Sequence, residues 1–447
     1  MSETVDAGPC ARQGRALCRL DGLSIATCFG SAVLTLLFCC AQPAFGQGVV
    51  RDSVGATSSG RGGTNIAHSD NLNLILDNPA GLANLKESRR VDLGLDVLVT
   101  DLEYGDRLDH EDGDVIPFAL PQFGYAQKVS DRLVLGLGFA APAGFGARYQ
   151  IEHSLYGERE YHSLGALVKI LPAIAYRVTD RLSVGATFGL AISHVQLEAP
   201  YHLQTGFLAG VPAMIDVKAT GLAPTWSVGA QYKLTEKTTV GLSYLAETRF
   251  RLDGSADADM SGFGFPLLKA RYDAEVDIDW PASVGAGITH RFNEKHRTSF
   301  DVVWTGWKHA FDELDLKLRN GSNPLFNVVL GRKVHDELEL DWNDALAFRI
   351  GHEFFFTPQD VLRVGYIYHN SPIPTGTLIP NLCGTLEHAV SVGYGHQWKK
   401  WRIDLAYQYS WSPTTHVGRS RLAGGDYDGS AFNAQAHWLF VGFSYRF

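Results

Sequence analysis

Beyond residue 40 the sequence is nearly empty of cysteine. Cys10, Cys18, Cys28, Cys39 and Cys40 precede that point, and Cys383 stands alone after it. A chain trimmed of its N-terminus therefore has no internal disulfide. Cys383 reads as a lone loop thiol rather than a nucleophile. Charge is also scarce, at 19% of residues, and its balance is acidic at −9. A nucleic-acid-binding protein carries a basic footprint, so that class is excluded. Mean hydropathy is near zero, which rules out a bundle of transmembrane helices. Past residue 46 there is no long amphipathic helix, no Gly-x-Ser-x-Gly elbow and no His-Glu-x-x-His pair. Sixteen histidines make chance constellations easy to draw. The His-Ser-Leu tripeptides at His153 and His162 lie in or beside a loop without an evident partner. We therefore expect no enzyme, no cofactor and no metal.

What the chain has in quantity is glycine (47 residues) and aromatics (11%). Its N-terminus reads as an export signal. Arg12, Arg15 and Arg19 form a basic region, and "LSIATCFGSAVLTLLFCCA" is apolar. Ala44 and Gly46 sit at −3 and −1 of a cut before Gln47. A signal anchor is an alternative, because the apolar run is about long enough to span. A lipoprotein signal fits less well, because bulky Phe38 precedes Cys39. The basic region is long, which points to a true translation start further downstream. Residues 1–46 are accordingly set apart as a signal peptide.

After the signal the pattern is alternation. In "WRIDLAYQYSW", Trp401, Ile403, Leu405, Tyr407, Tyr409 and Trp411 share one face and polar or small residues share the other. Period two over this length is a strand. About 9–11 residues let a tilted strand cross a bilayer, and this run suffices. Phe300, Val302 and Trp304 repeat the pattern. So do Val240, Leu242 and Tyr244, and also Val364, Tyr366 and Tyr368. The chain's end places Leu439, Val441, Phe443, Tyr445 and Phe447 on one face.

Two segments repeat one phrase: "VSDRLVLGLGF" from Val129 and "VTDRLSVGATF" from Val178. Each is a polar turn opening an alternating run. "LTEK", "FNEK", "TPQD" and "WKK" are further turns of this kind. Long Gly- and Asp-rich connections are expected near 106–117, 143–161, 200–216, 252–273, 313–335, 370–384 and 413–433. Short turns at one end and long loops at the other describe an outer-membrane barrel. The count gives an all-β fold, a fourteen-stranded antiparallel β-barrel over 89–447. Such a barrel must close, because an unpaired strand edge is excluded from hydrocarbon. Terminal Phe447, with apolar residues at alternate positions before it, resembles the signal read by the outer-membrane insertion machinery.

Residues 47–88 do not alternate. They are rich in Gly, Ser and Asn around a small apolar centre at Leu72, Leu74, Ile75 and Leu76. The segment is too short for its own core. It is either a disordered periplasmic tail or a plug filling the barrel lumen.

"DNPAGLANL" within it resembles the Asn-Pro-Ala hatch motif of the FadL-type long-chain fatty acid and hydrocarbon transporters. The likeness continues through "LVLGLGFAAPAGFGARY", "PTWSVGAQYKLTEKTTVGLSYLAETRFRLDG", "WPASVGAGITHRFNEKHRTSFDVVWTGWKHAFDEL" and "RVGYIYHNSPIPTGTLIPNL". It spans about 55 to 447. The resemblance implies an N-terminal hatch over 47–88 inside a fourteen-stranded barrel of the Gram-negative outer membrane. It implies passive uptake of hydrophobic molecules, long-chain fatty acids by default and monoaromatic or other hydrocarbons as the alternative. Many relatives carry acidic residues shortly before the motif, where this chain has His68, Ser69, Asp70 and Asn71. That departure puts the trigger of hatch movement in doubt.

On this reading Asn78, Pro79, Ala80 and Gly81 are the hatch motif, with Asn78 and Pro79 bracing it against a kinked wall and Gly81 supplying backbone freedom. The resemblance implies a sideways opening at the third strand, where Phe139, Pro142, Gly144 and Gly146 lie. Pro142 lacks an N–H and the glycines permit unusual dihedrals, so the ladder can break there. Apolar loop residues Phe207, Leu208, Val211, Met214, Phe263, Phe265, Leu267 and Leu268 are candidate ligand contacts. Arg349, Arg363 and Arg402 face inward by parity, as candidate partners for a ligand carboxylate or as ordinary barrel filling. The expected partners are the ligand, outer-membrane lipid with lipopolysaccharide, and the insertion machinery during assembly. The protein is expected to be a monomer. An outer-membrane lipase, a general polar porin and an adhesin are the rival classes.

Overall fold

The computed structural model describes residues 48–204, 209–263, 267–329 and 331–447. The expected signal peptide and its expected cleavage site lie outside the described residues. Among the described residues fourteen strands follow one another around a closed antiparallel sheet. They are β1 (Arg89–Gly105), β2 (Phe118–Lys128), β3 (Leu133–His153), β4 (Gly157–Arg177), β5 (Leu182–His202), β6 (Pro212–Thr235), β7 (Thr238–Leu245 and Thr248–Asp259), β8 (Lys269–Trp280 and Ser283–Arg291), β9 (His296–Thr305 and Glu313–Arg319), β10 (Lys333–Glu339 and Ala345–Phe355), β11 (Asp360–His369), β12 (His388–Trp398), β13 (Trp401–Trp411) and β14 (Ala431–Arg446). β1 and β14 close the circle in register from Arg90 against Arg446 to Gly105 against Ala431. No described helix is long and apolar enough to cross a membrane; strands do the crossing.

The six short turns fall where the polar punctuation put them. Several connections at the other end are shorter than the sequence implied. The stretch 143–161 is strand almost throughout, because β3 and β4 stay paired to His153 and Gly157 around a tight turn. Polar residues there read as loop, yet a strand above the bilayer needs no apolar outer face.

The alternation has its physical cause in the surroundings of each face. Leu93, Leu135, Val392, Ile403, Leu405, Leu439 and Val441 point outward and are exposed. Trp401 packs on Phe443 and Tyr445 at the short-turn end. His388 stacks on Trp411 near the long-loop end. Ten residues separate Trp401 from Trp411 on β13. At about 3.3 Å per residue and a tilt near 40°, that is about 25 Å, the height of an outer-membrane apolar band.

The inner face is filled by residues 48–88. Leu72, Leu74, Ile75, Leu82, Ala83 and Leu85 bury against Ala126, Val134, Leu171, Ala173 and Ala175 of β2, β3 and β4. Each buried leucine contributes about 1.5–3 kcal/mol. Other parts of the segment lie on other walls. Gly62 N donates to Ser391 Oγ of β12, and Asn65 N and Ile66 N donate to Asp301 of β9. Glycines in the wall let backbone meet backbone. A Cβ on Gly365 of β11 would lie 2.0 Å from Gly62 N. An outward charge is the sharpest test of the membrane face. Val392→Arg is expected to cost about 2–4 kcal/mol of barrel stability, measured by unfolding in lipid vesicles, whereas Val392→Leu costs little.

Candidate functional site

β2 pairs with β3 only from Phe123 against Phe139 down to Lys128 against Val134. Above Phe139 the β3 edge has lost its neighbour. Pro142 lies in an irregularity between Ala140 and Ala143, where the register with β4 shifts. The N-terminal segment takes the missing place. Val50 bridges Ala143 in antiparallel fashion, with Arg51 N donating to Pro142 O and Gly144 N donating to Val49 O at 3.0 and 2.8 Å. Gly144 and Gly146 have no positive φ, so the break comes from Pro142 and the shifted register rather than from glycine dihedrals. Phe139 is half-buried at the last rung.

Arg51 locks this insertion. It pairs with buried Asp96 of β1, donates to Ala141 O of β3 at 3.1 Å, and lies 4.8 Å from the Trp438 ring centroid. Asp96 also accepts from Gly55 N and from Gln122 Nε2 of β2. One carboxylate thus ties the N-terminal segment to β1 and β2, and through Arg51 to the unpaired edge of β3.

The Asn-Pro-Ala-Gly stretch lies elsewhere, against β5, β6 and β7. Asn78 is fully buried. Its Oδ1 accepts from Ala80 N and caps a 3-10 turn over Pro79–Asn84. Its Nδ2 donates to Ile66 O and to Ala230 O of β6. A Cβ on Gly185 would lie 2.5 Å from Ala80 N, and one on Gly229 would lie 2.0 Å from Asn78 Oδ1. Asn78 and Pro79 therefore brace the segment against these strands and not against the kinked β3. Gly81 has no positive φ. A Cβ there would lie 2.7 Å from His68 O, so close approach rather than dihedral freedom demands glycine.

The inward arginines divide. Arg363 pairs with Glu353 and Asp404, and Arg402 with Asp404. Arg61, Arg297 and Asp70 extend this chain of ion pairs into the N-terminal segment. Burial pushes the Asp70 carboxyl up, but Arg61 and Arg297 outweigh it and hold it well below the usual range. The stability it contributes is present above the ordinary carboxylate pKa and lost only as pH falls through the depressed value. Arg363 and Arg402 are thus occupied as barrel filling. Arg349 borders a lumen cavity of about 120 Å³, together with Arg51, Asp52, Asp77, Pro142 and Lys169. Lys169 is buried and makes no ion pair or hydrogen bond among the described residues.

A second cavity, of about 90 Å³, lies at the long-loop end. Leu197, Ile215, Val276, Leu316, Leu338 and Leu422 line it. The expected loop contacts are not there. Phe207, Leu208 and Phe265 fall outside the described residues, as does the side chain of Phe263. Val211, Met214, Leu267 and Leu268 do not line it; Met214 borders an outer groove with Asp216 and Asp259, and Leu267 is 73% exposed. Cys383 is buried near this end beside Tyr149, and burial pushes its thiol up to about 11, which makes it inert.

Among the described residues three groups have metal-like spacing. In the first, His68, Asp70 and Glu353, three guanidinium groups, of Arg61, Arg297 and Arg363, already occupy the carboxylates. In the second, His153, His202 and Asp426, His153 Nδ1 accepts from Leu155 N and Tyr156 N. Its proton is then on Nε2, which leaves no lone pair for an ion. The third, Glu160, His162 and Glu198, is partly exposed.

Asn78 carries the most concentrated bonding of the motif. Asn78→Ala is expected to cost about 2 kcal/mol by leaving buried groups unsatisfied. Hydrogen exchange of the 64–84 amides should then quicken by roughly 30-fold.

The profile of a family described as outer membrane protein transport protein (OMPP1/FadL/TodX) matches residues 37–447. A Neisseria meningitidis serogroup B protein described as an outer membrane protein is 22% identical over 435 residues, covering 85% of this chain and 90% of the relative. The crystal structure of a Pseudomonas aeruginosa FadL homologue superposes with a TM-score of 0.75 at 17% identity, over 90% of this chain and 100% of that one. The Pseudomonas putida toluene transporter TodX gives 0.74 at 21% identity, over 90% and 100%. The Ralstonia pickettii toluene transporter TbuX gives 0.70 at 20%, over 89% and 99%.

Proposed function

Because this chain belongs to the OMPP1/FadL/TodX family of outer-membrane transport channels for hydrophobic compounds, we propose that it takes up its ligand through a gate made by its own N-terminal segment. A hydrophobic molecule enters the cavity at the long-loop end. It passes to the lumen cavity beside Pro142 and leaves sideways between β2 and β3 when Val49–Arg51 withdraws. Residues 47–88 act as the hatch, and the Asn78 brace keeps the rest of it docked while the end moves. The observation that carries this reading is the backbone pairing of Val49–Arg51 with β3 where β2 ends. Three residues of backbone are a small barrier beside a continuous strand, so local opening is cheap there.

Two ligand classes have support. Unpaired Lys169 at the lumen cavity favours a fatty acid carboxylate, since a buried cation gains most from an opposite charge. Among the described residues the long-loop cavity has no lysine or arginine in its lining, which favours an uncharged hydrocarbon. The relatives include a FadL homologue and toluene transporters.

A disulfide tests the gate. Val50 and Ala143 oppose each other as a non-hydrogen-bonded pair, with Cα atoms typically about 4.5 Å apart, which suits a disulfide. The Val50→Cys, Ala143→Cys variant, oxidised in a host lacking its own fatty acid transporter, is expected to lose at least about 90% of labelled oleate or toluene uptake. A reductant should restore it. Equal uptake by the oxidised and reduced forms contradicts the lateral route.

A second variant addresses the lock. Arg51→Ala leaves Asp96 buried without its cation, at a cost of about 3–5 kcal/mol. Exchange at the residue-51 and Gly144 amides should then rise more than exchange elsewhere in the barrel.

A further inference from the structure

Among the described residues, the long-loop cavity is bordered by a single carboxylate, Asp426. Asp426 belongs to the connection between β13 and β14 and is held by two histidines from other parts of the chain. His202 Nδ1 lies 2.8 Å from its Oδ2 at the end of β5, and His153 Nε2 lies 3.5 Å from the same oxygen at the end of β3. The backbone donors on His153 Nδ1 turn its Nε2 edge toward Asp426. We propose that Asp426 is a specificity-determining residue that makes the cavity admit uncharged hydrophobic molecules and reject carboxylates. This inference rests on the transport reading above and names the ligand class that the cavity selects.

The electrostatics run one way. Burial pushes the Asp426 carboxyl up, but the histidine N–H groups outweigh it and hold it well below the usual carboxylate range. Among the described lining residues Asp426 is the one carboxylate, and no lysine or arginine stands beside it. The other groups around the cavity do not offset it. Tyr427 and Tyr201 are phenols kept neutral by burial, and Tyr201 donates to a further carboxylate, Asp336, at 2.7 Å. Arg421, next in sequence to Leu422 in the lining, is engaged by Glu339 and Asp341. A ligand carboxylate entering this cavity loses water, meets no lysine or arginine among the described lining residues and faces the Asp426 carboxylate. A hydrocarbon suffers none of these costs and gains the burial of its surface against leucine, isoleucine and valine. Lys169 lies in the other cavity and offers nothing at this stage.

The test is a matched pair that differs in charge alone: labelled 1-methyl-4-octylbenzene and 4-octylbenzoate at pH 7.5. Initial uptake is measured in cells lacking their own fatty acid transporter. The wild type is expected to take up the hydrocarbon at least about tenfold faster than the carboxylate, a difference of about 1.4 kcal/mol. Asp426→Asn keeps an acceptor for the histidines and removes the charge. It should raise the carboxylate-to-hydrocarbon ratio about tenfold, while Asp426→Glu should leave the ratio as in the wild type. Equal wild-type rates for both probes, or an unchanged ratio in Asp426→Asn, overturn the filter and leave transport standing. Uptake of neither probe overturns the transport reading and the filter with it.

Discussion

A barrel in hydrocarbon must pair every backbone N–H and C=O, and in this chain β3 outruns β2. From Ala140 upward the inner edge of β3 has lost its neighbour strand. Val49–Arg51 supplies the partner, and Arg51, pinned by Asp96, supplies the lock. The rest of the lumen follows from that constraint. The N-terminal segment must start at β3, cross the lumen and return to β1 at Arg89. Its path brings it past nearly every wall strand, and the wall provides glycines or acceptors where backbones meet.

The two ends of the segment are held by different physics. At the β3 edge the holding force is two backbone hydrogen bonds, one from the Arg51 side chain to Ala141 O, and one buried ion pair. Further along, Asn78, the Arg61–Asp70–Arg297–Glu353 chain and the leucine cluster fasten the segment to β2–β7 and β9–β10. Breaking that second set at once costs far more than fraying the first. On the proposed reading, a gate built this way opens at its end while the rest of the segment stays docked.

Much of the architecture was legible in the residues because its cause is local. Period two in "WRIDLAYQYSW" reports a wall with lipid on one side, and "VSDR" and "VTDR" report the turns between. The resemblance of "DNPAGLANL" located the motif, and Pro142 marked the broken strand. What escaped the sequence depends on distant partners. Arg51 meets Ala141 across 90 residues, and nothing near Arg51 announces Asp96. Asp426 sits in a Gly-rich connection where it reads as ordinary turn chemistry; its histidines come from β3 and β5. The apolar cavity is built from inward residues of five strands, each unremarkable alone. The 143–161 stretch misled because polarity marks a loop only where lipid surrounds the barrel.

The central claim is that the end of the N-terminal segment leaves β3 when ligand passes. The direct measurement is the distance between spin labels at residue 50 and at residue 147 on β3, in lipid vesicles, with and without toluene. The account predicts a second, longer distance that grows with ligand and vanishes on its removal. A single unchanged distance, in a preparation shown to transport the same ligand, contradicts it.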